Sequence, residues 1–535
     1  MVDILARPDQ PTDPALAEMS TRARVWLLIV ACLDVSIVVS SMIALNTALG
    51  DIAVDTSATQ TQLTWVVDGY TLVLACLLLP AGAIGDRYGR RGALLIGLAV
   101  FTVASAAPLV FDSPLQLIVA RAVAGAGAAF IMPATLSLLT AAYPKELRNR
   151  AVGVWAGVVG CGAIVGFLGS GLLLNFWAWQ SIFVAFTAAG VVLFALTVTV
   201  SSSSDPDATP LDWCGAALIA AAVAVFVFGI IEAPVRGWTD PLVCGCLAAG
   251  AALAVAFAVV ELRRRHPLLD VRLFGNPQFA TGAVGITFLF FANFGFFFVG
   301  IQYIQLVMGY SALKTAAALA PLMIPVLLLS TANNWLLPRV GLRLMLFVGL
   351  LLIAAGLLSM RLLEVDSSYL DLAWSLLVMS TGIGLCTAPT TSAIMGSVPD
   401  EKQGVASAVN DTTREIGAAL GIAVAGALLA ARYGDVLSPA VGDLPVDARE
   451  PALSSLAEAL EVSRQLGPAG AELAHLARTA FLQAMDSSLV AMSAVLVVAA
   501  VFVGIWAPGR DGRQLRVVRA VATRSRRRSI GRHRP

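Results

Sequence analysis

Three charged side chains stand inside otherwise apolar runs of this chain: Asp34, Asp68 and Arg121. A charge near the centre of a bilayer costs about 2.5–3.5 kcal/mol on insertion scales, so an embedded acid or base needs a use. A carboxyl group in apolar surroundings favours its uncharged form and can take up and release a proton near neutral pH. A cationic ligand competing for that carboxylate would be coupled to proton flow, and each proton crossing a 100 mV potential carries about 2.3 kcal/mol. Asp68 is the first candidate for this proton- or cation-responsive group, Asp34 the second, and Arg121 would hold or modulate them. A fixed ion pair between Arg121 and one aspartate explains the same residues. Trp65 lies three residues before Asp68 on one helix face. An indole there suits a lipophilic cation, or an interfacial belt position.

Further along, Phe290, Phe291, Phe294, Phe296, Phe297 and Phe298 precede Gln302 and Gln305. A phenylalanine run fits lipid, core or pocket; amides in an apolar span face a cavity sooner than lipid. Phe294, Gln302 and Gln305 therefore join Trp65, Ser41 and Asn46 as candidate pocket residues. Asp411, Arg414 and Glu415 have the spacing of local ion pairs at the cytoplasmic opening of a span, for gating or structure. The histidines, His266, His475 and His533, fall outside the apolar runs. With no phosphate-binding glycine loop and no clustered metal ligands, a membrane-embedded enzyme is disfavoured. No metal or cofactor is expected, and a proton gradient is the expected energy source.

The loop Gly82-Ala-Ile-Gly-Asp86-Arg87-Tyr-Gly89-Arg90-Arg91 follows the second apolar run. Cations are retained on the cytoplasmic side, so Arg87, Arg90 and Arg91 mark a cytoplasmic turn. Asp86 can neutralise a helix N-terminus or a neighbouring arginine. Gly82, Asp86, Arg87, Gly89, Arg90 and Arg91 thus form a candidate conformational latch, with Asp86 and Arg90 holding an inward-closed state. A plain charged stop-transfer turn has the same composition. The run from Gly157 to Gly171 includes Gly162 and Gly166, whose short spacing lets helix backbones approach closely. It serves either a sliding surface between halves or ordinary tight packing.

The elements that carry these residues are membrane spans. Hydrophobic residues make up 58% of the chain and charged ones 13%, with a mean hydropathy of +0.83, which excludes an ordinary soluble protein. The formal net charge is +1, so nucleic acid is not an expected partner. About 20 apolar residues cross a bilayer, and by that rule about fourteen spans are expected: 25–47, 62–82, 93–111, 115–139, 151–174, 180–200, 212–231, 241–261, 279–306, 313–335, 342–362, 370–395, 405–431 and 485–507. Arginine-bearing and aspartate-bearing loops alternate as both termini inside require, although the loop Ser201–Asp212 carries no cation.

The chain also repeats itself. Pro144, Gly162 and Gly166 recur as Pro399, Gly417 and Gly421 at a constant offset of 255. Gly125 and Gly127 are echoed by Gly382 and Gly384, and Arg87 to Arg91 weakly by Arg339 to Arg343. The expected fold is all-α and polytopic: two six-helix bundles plus two inserted helices, both termini cytoplasmic. Its parts are an N-terminal segment 1–24, a bundle 25–200, inserted helices 201–262, a bundle 263–507 with an extracytoplasmic loop 432–484, and a basic tail 508–535. The tail reads as a membrane-surface anchor. The first apolar run lacks a cleavage site and reads as an uncleaved span.

Several of these segments resemble the major facilitator superfamily, in particular its fourteen-helix drug:proton antiporter group. The match rests on the loop at 82–91, on Trp65-Val-Val-Asp68-Gly-Tyr70-Thr, on Arg121-Ala-Val-Ala-Gly125-Ala-Gly127 and on Ile231-Glu232-Ala-Pro234. It continues through Gln302-Tyr-Ile-Gln305 and Asn410-Asp-Thr-Thr-Arg414-Glu-Ile-Gly417. The resemblance implies alternating access by two rocking bundles, with proton import driving export of hydrophobic or cationic small molecules from a monomer in the plasma membrane. Three features depart from the family pattern. Ser41 stands at the acidic position of its first-helix motif, with Asp34 two turns earlier; Gly166-Phe167 replaces Gly-Pro; and Ala124 replaces a glutamine. A dedicated exporter of one lipid, natural product or siderophore, without classical antiport, is the alternative they motivate.

Overall fold

The computed structural model describes residues 19–510 except 57, 59, 112, 202–211, 265–266, 400–401 and 443–444. The expected N-terminal segment up to 18, most of the 201–212 loop and the basic tail from 511 lie outside the described residues. Among the described residues, fourteen long helices occupy the fourteen expected positions. The first half has α1 (Thr21–Ala44), α2 (Gln60–Tyr88), α3 (Arg90–Ala106), α4 (Pro114–Ala142), α5 (Lys145–Phe176) and α6 (Gln180–Val198). The inserted pair is α7 (Trp213–Arg236) and α8 (Pro241–Arg263). The second half has α9 (Pro277–Gln302), α10 (Met323–Val340), α11 (Leu342–Ser359), α12 (Tyr369–Met395), α13 (Gln403–Leu437) and α14 (Ala471–Trp506). Among the described residues 13 helical segments are long and apolar enough to cross a bilayer, and α5 is a further helix of 32 residues.

Local chemistry fixes the ends. Side-chain oxygens of Ser20, Asp212, Asp240 and Asn276 accept first-turn backbone N–H groups of α1, α7, α8 and α9, which otherwise lack partners. The α2–α3 and α10–α11 turns each pivot on one glycine, Gly89 at φ 109° and Gly341 at φ 81°, a region that a Cβ disfavours. The faint echo between 87–91 and 339–343 is one turn used twice.

The packing repeats as the sequence does. In the N-terminal bundle α1 lies on α4 and α5, α4 on α2 and α3, and α3 on α6; in the C-terminal bundle α9 lies on α12 and α13, α12 on α10 and α11, and α11 on α14. The halves meet through α2 with α13 and α5 with α10, while the α7–α8 hairpin lays α7 against α2 and α13. A Cβ on Gly166 would lie 2.6 Å from the Ser40 carbonyl of α1, and Cβ atoms on Gly417 and Gly421 would strike the Thr287 and Phe291 carbonyls of α9. These glycines therefore pack helices inside each half. Farther along α5, Gly153 and Gly157 face Ser330 of α10 across the seam. The sequence pairing of Gly125 with Gly382 shifts by one contact: Gly127 meets Gly97 of α3 and Gly382, at the offset of 255 from Gly127, meets Gly349 of α11, whereas Gly125 meets Tyr70 of α2.

The connection expected at 432–484 is shorter than its polarity implied. Helix α13 continues to Leu437 and α14 begins at Ala471, with short helices Val446–Ser454 and Leu456–Gln465 between them. Alanine and leucine sustain a helix beyond the apolar slab. The glycine contacts yield a direct test. Gly417→Ala should destabilise the detergent-solubilised protein by about 1–3 kcal/mol, lowering its unfolding midpoint. Gly92→Ala, whose Cβ meets nothing within 4 Å, should leave the midpoint unchanged. Equal midpoints would refute the close-contact role.

Candidate functional site

Two features lie on the seam between the halves: a cavity at one level and a closed zone at the other. The closed zone is at the face that carries Arg87, Arg90, Arg91 and Arg339, here the basic face. There Asp86, near the end of α2, accepts N–H bonds from Gly404 at 2.9 Å and Val405 at 3.1 Å, in the first turn of α13. Arg90 holds the same carboxylate, with Nε and Nη2 each 3.0 Å from Oδ1. Both side chains are buried. A helix N-terminus presents unpaired N–H groups and a positive dipole end, so a buried carboxylate from the other half is a fitting cap. Glycine at 82 permits it, because a Cβ there would lie 2.5 Å from the Gly404 carbonyl and 2.8 Å from Ala408 Cβ. Arg91 Nη2 donates to the Val198 carbonyl of α6 at 2.6 Å, and the Arg87 guanidinium lies 5.3 Å from the Tyr88 ring.

Away from the basic face the seam opens into a cavity of 360 Å³. It is walled by α1, α2, α7, α9 and α13, with Asn46, Asp68, Thr71, Ile230, Phe294 and Ile422 among its lining residues. Among the described residues that line it, Asp68 is the one acid. Asp68 stands about 27 Å along α2 from Asp86, so one helix carries both the cavity acid and the latch acid. Phe294 stacks on Phe290 with centroids 6.0 Å apart. Trp65 stacks on Phe228 of α7 at 5.7 Å, which ties the inserted hairpin to α2 beside the cavity.

Other expected pocket residues lie elsewhere. Ser41 is fully buried and is held by Arg121, whose Nη1 donates to Ser41 Oγ at 2.8 Å and Nη2 to the Ser41 carbonyl at 3.0 Å. Arg121 Nε donates to the Val66 carbonyl at 3.2 Å, and its guanidinium lies 4.2 Å from the Tyr70 ring. Arg121 thus pins α1 and α2 to α4 through neutral groups, and no ion pair among the described residues joins it to Asp34 or Asp68. Asp34 is buried between α1 and α6, accepting from Thr197 Oγ1 at 3.2 Å, and does not line the cavity. Gln302 donates to the Phe298 carbonyl of its own helix at 2.8 Å. It ends α9 one turn beyond the cavity-lining Phe298, and Gln305 lies within the π-helical turn Tyr303–Val307; neither lines the cavity.

Asp411, Arg414 and Glu415 do not open α13, which begins at Gln403. They sit two to three turns inside it, all buried at the seam. Arg414 Nη1 lies 3.4 Å from Asp411 Oδ1. Its guanidinium is 5.0 Å from the ring of Trp155 on α5, across the seam, and 5.1 Å from that of Phe290. Trp155 and Gly404 stand at the seam although no sequence motif singled them out, and Tyr70 was named only within a motif. The signals were there: one tryptophan beside the glycine run of α5, and a glycine opening α13.

The family model of the Major Facilitator Superfamily matches residues 26–422. The chain is 33% identical over 420 residues to the multidrug resistance protein Stp of Mycobacterium tuberculosis, covering 78% of each. It is 30% identical over 507 residues to the tetracenomycin C resistance and export protein of Streptomyces glaucescens, covering 92% of this chain and 94% of that one. The solved structure of the proton:xylose symporter XylE matches with a TM-score of 0.56 at 13% identity, over 94% of this chain and 100% of that chain. That last likeness is one of fold.

The Asp86 cap predicts a shift in seam opening. Asp86→Asn removes charge-assisted bonds of about 1.5–3 kcal/mol, which corresponds to about a tenfold or greater gain in the opened population. A maleimide supplied at the basic face should label Ser407→Cys, buried in the parent, faster by that factor. An unchanged labelling rate would mean that Asp86 does not hold the face closed.

Proposed function

The chain belongs to the major facilitator superfamily, and from that premise we propose that it is a proton-coupled exporter of small hydrophobic, positively charged compounds. The observation that carries this reading is the position of Asp68, the acid of a 360 Å³ cavity at the seam between two repeated bundles. A carboxylate among apolar walls attracts a lipophilic cation by charge while the walls take its apolar body. The same carboxyl group binds a proton when the cation is absent, so occupancy by one excludes the other. Phe294 adds an aromatic face to the wall. Proteins named for multidrug resistance and for tetracenomycin C resistance and export align with most of this chain, which supports outward movement of drug-like cargo.

The mechanism follows from the two levels of the seam. Arginine-rich loops are retained on the cytoplasmic side, so the basic face is assigned to the cytoplasm and the described conformation is closed there. In the proposed cycle a proton reaches Asp68 from outside, the basic face opens, and the proton leaves inward. A cation then takes the carboxylate and is carried out as the basic face closes again. Proton movement down its gradient supplies the work. Asp86 and the first turn of α13 would break and remake their contact once per cycle.

A narrower reading keeps the fold and changes the cargo to one lipid, natural product or siderophore. Its support is Ser41, which stands where the family resemblance implies an acid and is occupied by Arg121. One experiment separates the two. Purified protein in liposomes with an imposed pH gradient should move ethidium, and Asp68→Asn should slow that movement by about tenfold or more, as loss of a charge-assisted contact implies. Undiminished movement in the variant removes Asp68 from the mechanism. No movement by folded wild type favours the dedicated exporter.

A further inference from the structure

The buried charges of α13 do not balance. Asp411 and Glu415 are two acids beside one guanidinium, that of Arg414, and all three are buried. Asp411 is the better served of the two acids: its Oδ1 takes Arg414 at 3.4 Å and Asn410 Nδ2 at 3.0 Å. Glu415 Oε2 is buried with no hydrogen-bond partner among the described residues. An uncompensated charge in such surroundings is costly, and the cluster of three is neutral only when one carboxyl group holds a proton.

The neighbours do not supply the missing positive charge. From α2 comes Tyr70, within electrostatic reach of both Glu415 and Arg121. Arg121 of α4 is bonded to Ser41 and Val66 instead. From α5 and α9 come the rings of Trp155 and Phe290, and from α12 comes Thr391, whose Oγ1 lies 3.5 Å from Arg414 Nη2. Glu232 of α7 is paired with Arg236 at 2.6 Å, and Asp486 of α14 with Arg361 at 3.9 Å.

Ala418 and Ala419 line the cavity, so Glu415 lies one helical turn below them, toward the basic face. It stands between the cavity and the contacts that close the seam, in the opposite half from Asp68. Of the other acids buried with an unpartnered oxygen, Asp411 keeps one oxygen on Arg414 and Asn410, Asp212 and Glu261 lie at the ends of the inserted hairpin, and Asp34 is inside the N-terminal bundle.

We propose that Glu415 is a second proton-binding site, loaded from the cavity and discharged when the basic face opens. With Asp68 as the first, two protons enter for each monovalent cation expelled, and one net positive charge moves inward per cycle. The coupling role rests on the export reading above; proton binding at Glu415 does not.

The test has two parts. Infrared spectra of the full chain in lipid films, recorded across acid and alkaline pH, should contain a carboxylic-acid carbonyl band that Glu415→Gln loses and Asp68→Asn keeps. A Glu415→Gln spectrum identical to wild type overturns the site. A variant that fails to fold leaves Glu415→Asp to decide, since its shorter side chain should move the titration midpoint of that band; an unmoved midpoint overturns the site equally. In liposomes, a valinomycin-clamped potassium potential without a pH difference should drive ethidium through wild type and Glu415→Asp. Glu415→Gln should lose this potential-driven movement while keeping pH-driven movement. Potential-driven movement that persists in Glu415→Gln overturns the two-proton cycle. Intact efflux in Asp68→Asn would count against the export reading alone, because the infrared result on Glu415 needs no substrate.

Discussion

A helix that begins inside a protein must find partners for its first N–H groups, and α13 finds its partner in the other half of the molecule. The Asp86 carboxylate accepts from Gly404 and Val405 while Arg90 neutralises it. This contact joins the two bundles by polar bonds at the basic face, beside the apolar packing of α2 on α13 and α5 on α10. Charge-assisted bonds are strong when formed and are replaced by water when the face opens. Such bonds let the basic face close firmly and still part. The cavity above it is the other consequence, since halves drawn together at the basic face stand apart at the opposite level.

The repeat gives that seam its stiffness on either side. Each half brings equivalent helices into backbone contact through glycines, Gly166 against Ser40 and Gly421 against Phe291. Small residues let the backbones approach this closely within each half. The interface between halves holds a carboxylate cap, the Arg414 and Trp155 pair, and Gly153 beside Ser330.

Much of this was legible in the sequence, and the rest fails for identifiable physical reasons. Hydropathy located fourteen helices because each must span an apolar slab, and the offset of 255 disclosed the repeat because helix crossings reuse small residues. The pairing of Asp86 with Arg90 was readable as well, as neighbouring charges four residues apart, whereas its bonds to the first turn of α13 were not. Partner choice was not readable. Arg121 is an embedded cation that selects carbonyls and the Ser41 hydroxyl over any aspartate, and Asp34 turns toward Thr197. A periodicity argument gives the face of a helix but not which neighbour meets it. Likewise Gln302 lies on the face of Phe298 but one turn past the cavity, and Gln305 falls in the π-turn that follows α9, which nothing in their spacing foretold.

Proton-coupled export requires one carboxyl group to accept either a proton or a cation. The direct measurement adds ethidium to purified protein in a weakly buffered solution at mildly acidic pH and follows the protons released with an indicator dye. The account predicts proton release that saturates with ethidium binding in the wild type and vanishes in Asp68→Asn. Saturable ethidium binding with no proton released would contradict it.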